Sequence, residues 1–317
     1  MKMLIGSGGD KLLNQLVTEF GDVEFIPEGS PEEKLAQIRD VDAYYGHPLS
    51  RQMFRVAERL RWIQHIGTGI DWIRDLPELV DSDVVLTNCR GPHANPMADH
   101  VFGMIISLAH RMWEMRDDQR EHHWMTNKYD GTLVDLSGCT LGILGLGDIG
   151  IAIARRAQGF DMDVYAVDKH PRTDINCVDA VWGLDQLDRL LSLSDWFIIA
   201  APFTSETEGL IDASRLAGLK RGAYVISISR GGIVDENALV QAMISGQISG
   251  VGLDVTAVEP LPDDSSLWDM DNVVISPHAS ALTPVMWRDR EEIFKENLRR
   301  FLSGQPFLYI CDKNAGF

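Results

Sequence analysis

The stretch TLGILGLGDIGIAIARRAQGF, residues 140–160, decides the fold. Residues 140–144 form a compact apolar run, Gly145, Gly147 and Gly150 interrupt it, and an amphipathic helical pattern begins at once. A buried strand feeding a helix through such a turn is a dinucleotide-binding pattern. The first glycine permits the tight turn, the second lets backbone amides approach a pyrophosphate, and the third lets the helix pack close to the strand. The anion sits at the positive end of the helix, and Asp148 and Ile149, between the second and third glycines, are assigned to the same site. The next apolar run, DVYAVD, ends in Asp168, near the interval of about 20 residues at which a carboxylate accepts hydrogen bonds from a ribose hydroxyl. Together these features predict an NAD(H) site. Asp168 would repel a 2′-phosphate, but Lys169, His170 and Arg172 follow and partly offset that repulsion, so NADP(H) stays open as a weaker alternative.

Downstream, the runs WFIIAA, YVISIS, GVGLDV and VVISP continue a strand and helix alternation. Upstream, MKMLIG, VEFIPE, VDAYYG, RWIQHIG and VVLTN alternate with helical stretches such as DKLLNQLVTEF and SPEEKLAQIRD, a second parallel βα series. The residues after Ile5, GSGGDKLL, read as a turn into a helix, and Ser30 with Pro31 and Glu33 reads as a helix start. Met97, Val101, Met104, Ile105, Leu108 and Met112 recur at helical spacing and predict one long helix over about 96–120. The periodicity is lost over 122–138, and a final helix over about 284–302 leads to the strand-like tail FLYI. The expected fold is α/β with two parallel-sheet domains: a Rossmann domain, 101–283, inserted into a discontinuous flavodoxin-like substrate domain, 1–100 and 284–317. A cleft between domains is the expected place for a ligand.

A chain of 317 residues suits two domains. Its 45% hydrophobic and 24% charged residues exclude fibrous and disordered classes. The net charge of −18 repels phosphate backbones and anionic lipid, which argues against nucleic acid or membrane partners and leaves salt adaptation open. Cys89, Cys139, Cys177 and Cys311 form no metal-ligand spacing and suit reduced thiols in a cytoplasmic protein, with no metal expected. No apolar run reaches the roughly 18 residues of a membrane helix.

Arg230 follows YVISIS, Glu259 lies in the loop after GVGLDV, and His278 follows VVISP. Ligands of open parallel sheets bind beyond the carboxyl ends of the strands, so all three are expected at one end of the sheet. Reduction of a ketone builds negative charge on oxygen. An imidazolium can deliver the proton, a guanidinium can hold carboxylate and carbonyl in fixed geometry, and a carboxylate beside the imidazole orients the ring.

At these residues the chain resembles the D-isomer-specific 2-hydroxyacid dehydrogenases over nearly its whole length, through TLGILGLGDIG, APFTSETEGLI, SISRGGIVDENAL, GVGLDVTAVEP and ISPHAS. The resemblance implies that His278 is the acid/base, Glu259 its partner and Arg230 the residue that binds and polarises a small 2-oxo acid. It further implies that Asp254 helps fix the nicotinamide carboxamide and that Pro202 and Thr207 lie along the cofactor. HIGTGID resembles the family's substrate-carboxylate loop, in which Gly67, Thr68 and Gly69 form an anion nest. NPMADHVFGMI resembles the start of the interdomain helix, with Asp99 where Glu is usual and His100 as a packed, hydrogen-bonded residue. Tyr45, His47, Met286 and Trp287 are candidates for substrate selectivity, with packing as the other possibility for each. The segment 122–138, with Trp124, resembles an arm that crosses to a second subunit, which implies a homodimer. The expected activity is NAD-dependent interconversion of 2-oxo acids and D-2-hydroxy acids. Glu259 argues against the related formate dehydrogenases, which carry Gln there, while a phosphite dehydrogenase and an NAD(H)-responsive corepressor-like binding protein remain alternatives on the same fold.

Overall fold

The computed structural model describes residues 1–6 and 10–316. It divides into two compact units, Met1–Pro92 with Thr283–Phe317, and His93–Leu282. The turn expected at Ser7–Gly9 lies outside the described residues.

The first unit opens with β1 (Lys2–Ile5), α1 (Asp10–Glu19), β2 (Glu24–Pro27), α2 (Pro31–Gln37) and β3 (Ala43–Gly46). It continues with α3 (Arg51–Val56), β4 (Trp62–His65), α4 (Pro77–Val80) and β5 (Val85–Thr87). The strands are all parallel in the order β2-β1-β3-β4-β5, the flavodoxin-like arrangement. β3 and β4 are wholly buried, β4 with the polar Gln64 and His65 among its residues, whereas the edge strand β2 is half exposed. Ser30 caps α2 in a reciprocal box with Glu33, which satisfies two otherwise unpaired amides.

The second unit begins with α5 (Ala94–Ala109), α6 (Met112–Arg120) and α7 (Thr126–Tyr129). Its Rossmann sheet then runs through β6 (Thr140–Leu144), α8 (Asp148–Gln158), β7 (Asp163–Val167), β8 (Ala180–Trp182), α9 (Leu187–Leu193) and β9 (Trp196–Ile199). It is completed by α10 (Ala213–Gly218), β10 (Ala223–Ser227), α11 (Glu236–Ile244), β11 (Ile248–Leu253) and β12 (Val273–Ile275). The strand order is β12-β11-β10-β9-β6-β7-β8, again all parallel, so the order reverses between β6 and β9. That switch point is where ligands of such sheets bind. β9 is buried at every residue, Trp196 stacking on Tyr224 at 4.1 Å, while the edge strands β8 and β12 are only partly covered.

The long helix expected over 96–120 is two helices. Arg111 stands between α5 and α6 with φ 48°, and Val134 N–H donates to the Ala109 carbonyl at 2.9 Å, an acceptor that an uninterrupted helix would have used itself. Met112, counted in the apolar stripe, is 48% exposed. From Val101 to Leu108 the stripe is buried, and Met97 partly so, against β6, β7 and β9 side chains including Ile143, Ala166 and Ile198.

The chain returns to the first unit through α12 (Pro284–Ser303), started by the Thr283 cap and Pro284 and ended by Gly304 at φ 67°. Phe294 and Leu298 of α12 are buried, Phe294 stacking on Tyr45 at 4.1 Å. The tail then pairs with β5 through an antiparallel bridge between Thr87 and Ile310. Among the described residues none of the four cysteines is in a disulfide, and burial pushes the Cys89 and Cys311 thiols up to about 12. Among the described residues no helix is long and apolar enough to cross a membrane.

Candidate functional site

The glycine turn is shaped by contact. Gly145 has φ +93°, and a Cβ there would lie 2.6 Å from both the backbone nitrogen and Cα of Ala201. A Cβ at Gly150 would overlap the Gly145 carbonyl oxygen, so α8 rests directly on the turn. Gly147, the N-cap of α8, has an ordinary extended backbone and nothing within 4 Å of its would-be Cβ. The turn is therefore crowded on its sheet side and open at Gly147, beside the unpaired amides that begin an 11-residue helix carrying Asp148 and Ile149. That open backbone at a helix N-terminus fits a pyrophosphate.

Asp168 ties this turn to β7. One carboxylate oxygen accepts from Leu146 N–H at 2.7 Å and the other from His170 N–H at 2.8 Å. A carboxylate has about four acceptor positions, so two remain for ribose hydroxyls. Lys169 pairs with Glu206 at 2.6 Å, and Arg172 lines a depression with Ile151, Arg155 and Gln158 beside α8. Lys169 and Arg172 thus have different surroundings.

Beyond β9, the segment 202–207 is a self-bonded turn. The Thr207 hydroxyl donates to the Pro202 carbonyl at 2.7 Å and accepts from Thr204 N–H at 2.8 Å. Thr207 is 8% exposed, and these bonds engage its hydroxyl in shaping the loop.

Arg230, Glu259 and His278 follow β10, β11 and β12, three neighbouring strands about 4.8 Å apart. A Cβ at Gly231 would overlap the Thr256 carbonyl, so the Arg230 and Glu259 loops touch. Arg230 Nη1 donates to the Ser229 carbonyl at 2.8 Å. Glu259 accepts from Thr256 N–H through Oε1 at 3.2 Å and faces His278 Nδ1 through Oε2 at 2.8 Å. An ionised carboxylate only accepts, so Nδ1 carries the hydrogen and Nε2 is left as the ring's second nitrogen. Both side chains are partly exposed, 47% for the histidine and 39% for the glutamate.

His278 has φ 51°, an uncommon conformation outside glycine that costs of order 1–3 kcal/mol and persists only where surroundings impose it. Asp254 imposes it. Its carbonyl accepts from His278 N–H at 2.8 Å, and its carboxylate accepts from the Ser276 hydroxyl at 2.6 Å and from the Ala279 and Ser280 amides at 2.8 and 3.2 Å. Burial alone would raise the Asp254 carboxyl, yet these donors outweigh it and hold the group below the usual carboxylate range. His100 Nε2 lies 2.8 Å from the same Ser276 hydroxyl, completing a chain from α5 to the histidine loop. Ser276 was not singled out in the sequence, although it lies inside ISPHAS; its spacing from Asp254 carries no local signal.

In the first unit, the Gly67 carbonyl accepts from Cys89 N–H at 3.0 Å and the Thr68 carbonyl from Asn88 Nδ2 at 2.7 Å. Across a trans peptide the next N–H points opposite to the carbonyl. The amides of Thr68 and Gly69 therefore point away from the 88–90 loop, the polarity an anion nest requires. Tyr45 and Met286 are core residues, 0% and 2% exposed, and packing accounts for them. His47 is exposed, and Trp287 is 38% exposed with the Arg290 guanidinium 3.8 Å from its ring centre.

A doubly wound dinucleotide-binding unit with an acid at the end of its second strand and a histidine-carboxylate pair on its last loops is the class that fold and site define. Residues 102–280 match the family described as D-isomer specific 2-hydroxyacid dehydrogenase, NAD binding domain. The chain is 35% identical over 283 residues to a glyoxylate reductase of Thermofilum pendens, covering 87% of this chain and 83% of the relative. A glyoxylate reductase of Korarchaeum cryptofilum is 33% identical over 287 residues, 88% and 85% of the two chains. Among solved structures, a D-isomer specific 2-hydroxyacid dehydrogenase of Xanthobacter autotrophicus Py2 in complex with NADPH and MES superposes with a TM-score of 0.84 at 28% identity, covering 100% of this chain and 99% of that one. A family protein of Aeromonas salmonicida gives 0.86 at 30%, covering 98% and 99%. The chain belongs to the D-isomer-specific 2-hydroxyacid dehydrogenase family, and His93–Leu282 contains its NAD-binding domain.

Proposed function

We propose that this protein is an NAD(H)-dependent reductase of small 2-oxo acids, producing D-2-hydroxy acids and running in reverse as their dehydrogenase. The observation that carries this is the 2.8 Å contact between His278 Nδ1 and Glu259 Oε2 on the loops beyond adjacent strands. The bound nicotinamide supplies hydride chemistry. His278 delivers a proton from Nε2 to the oxygen of the reduced carbonyl, and Glu259 fixes the ring and balances its charge. Arg230, half-buried and following β10, holds the carboxylate and polarises the carbonyl. In the first unit, the Thr68 and Gly69 amides supply a second carboxylate holder with no side-chain charge, and Trp287 is a candidate selectivity residue.

Gly145, Gly147, Asp148, Ile149, Gly150 and Asp168 hold the dinucleotide, with Pro202 and Thr207 shaping the next loop. Asp254 acts by holding the histidine loop. Asp168 makes NADH the preferred cofactor over NADPH by at least about tenfold in kcat/KM, which corresponds to about 1.4 kcal/mol. The 122–138 segment, where Trp124 is 93% exposed, is the proposed contact with a second copy of the chain. Sedimentation of a Trp124→Ser variant beside the wild type checks that contact.

Oxidation of NADH with glyoxylate, hydroxypyruvate and pyruvate, with chiral analysis of the glycerate and lactate formed, tests the activity. Turnover to the D-hydroxy acid supports it. NADH binding without turnover of any 2-oxo acid refutes it.

A further inference from the structure

Lys169 stands two residues beyond the end of β7, and Glu206 lies in the turn beyond β9. Both strands are hydrogen-bonded to β6, which lies between them and ends in the glycine turn. A bond joining these two loops therefore passes over the carboxyl end of β6, spanning two strand spacings of about 4.8 Å each. Such a bond exists: Lys169 Nζ meets Glu206 Oε2 at 2.6 Å. The glutamate's loop is braced, because Glu206 N–H donates to the Thr204 hydroxyl at 3.3 Å inside the turn that Thr207 closes onto Pro202. The lysine's loop is braced by Asp168 through Leu146 and His170.

Lys169 directly follows the acid that faces the ribose and is the basic residue nearest to it in the chain. Arg172 does not replace it. It lines a depression with Ile151, Arg155 and Gln158, positions roughly 6 to 16 Å along α8 from Gly147 at about 1.5 Å per residue. The cation best placed to receive a ribose 2′-phosphate is thus already held by a carboxylate, and that carboxylate adds a second negative charge at the carboxyl ends of these strands. Solved relatives of the same fold include one in complex with NADPH, so the fold itself does not decide between the two cofactors.

We propose that Glu206 is a cofactor-selectivity residue, which keeps Lys169 across the mouth of the glycine turn and so denies a cation to 2′-phosphorylated adenosine. This inference rests on the assignment of Asp168 to the ribose. Selectivity comes from two acids and an occupied lysine, with Asp168 only one of the three. Removing Glu206 releases the lysine and removes one repulsive charge at once, and both changes favour a phosphate dianion.

The test is binding, read by NADH and NADPH fluorescence titration at fixed ionic strength, on wild type, Glu206→Gln, Glu206→Ala and the double variant Glu206→Gln with Lys169→Met. The pair is exposed, so all four proteins should melt together. The ratio of the NADPH to the NADH dissociation constant should fall by about tenfold or more, equal to 1.4 kcal/mol, in both Glu206 variants. Lys169→Met should reverse most of that fall. A ratio that stays within about threefold of wild type in both Glu206 variants overturns the proposal, as does a gain that survives Lys169→Met. If the wild type binds NADH but already binds NADPH as tightly, the Asp168 assignment falls with it; failure to bind either ligand removes the nucleotide site itself.

Discussion

Gly147→Ala separates the architecture of the glycine turn from its use. The backbone there has φ −75° and ψ −164°, which any residue can adopt, and nothing lies within 4 Å of the added methyl. Two small effects on stability oppose each other. Loss of unfolded-state freedom stabilises by about 0.4–1 kcal/mol, while alanine is the poorer N-cap by about 0.5–1 kcal/mol. They cancel to within about 0.5 kcal/mol, so the melting temperature should move by no more than about 2 °C. Gly145→Ala is the contrast. Its φ of +93° disfavours any side chain, and its Cβ would press on the Ala201 backbone at 2.6 Å, where no rotamer change gives relief. Strain and overpacking of about 1–3 kcal/mol each should lower the melting temperature by roughly 4 °C or more. The Gly147 methyl instead occupies the open face at the start of α8, and NADH affinity should weaken by about tenfold or more, equal to 1.4 kcal/mol. Thermal melts and NADH fluorescence titrations on both variants check this. A stable Gly147→Ala protein that binds NADH as tightly as wild type would refute the placement of the pyrophosphate on this turn.

Arg230→Lys keeps the charge but loses the planar fork, so the 2-oxo acid KM should rise and kcat fall, with kcat/KM down by about tenfold or more; steady-state kinetics that match wild type would place the carboxylate elsewhere. Asp254 is held below its ordinary value in the folded state, so its contribution to stability is full above the unfolded value near pH 4 and is lost as the pH falls through the folded value. Melting temperature plotted against pH should therefore drop less steeply below about pH 4 in Asp254→Asn than in wild type; parallel curves would show that the carboxylate is not what orders the Ser276–Ser280 loop.

Much of this fold is legible because its signals are local. A continuous apolar run such as WFII marks a strand buried on both faces, and Thr140 to Asp168 spans one complete βαβ unit. The interruption after α5 was not legible, since nothing at Arg111 breaks helices by type; the break depends on Val134 claiming the Ala109 carbonyl from more than 20 residues away in the chain. β8 is illegible for a related reason, as three residues, Ala180–Trp182, become a strand only by pairing with β7. At the candidate site the side-chain types were legible and their partners were not. Strand ends located Arg230, Glu259 and His278, but the Asp254, Ser276 and His100 chain and the Lys169–Glu206 bond join residues distant in sequence. Tyr45 shows the converse: a polar aromatic at a strand end read as a selectivity candidate, yet its ring is buried against Phe294.

The role of His278, fixed by Glu259, as the proton donor of a 2-oxo acid reductase is tested by the turnover of His278→Asn measured beside its affinity for NADH. Asparagine suits the φ of 51° at this position, so the loop should survive the change. The kcat for glyoxylate or hydroxypyruvate reduction should fall by about a hundredfold or more, with the NADH dissociation constant unchanged within about twofold. A variant that binds NADH normally and reduces either acid at close to the wild-type rate would contradict it.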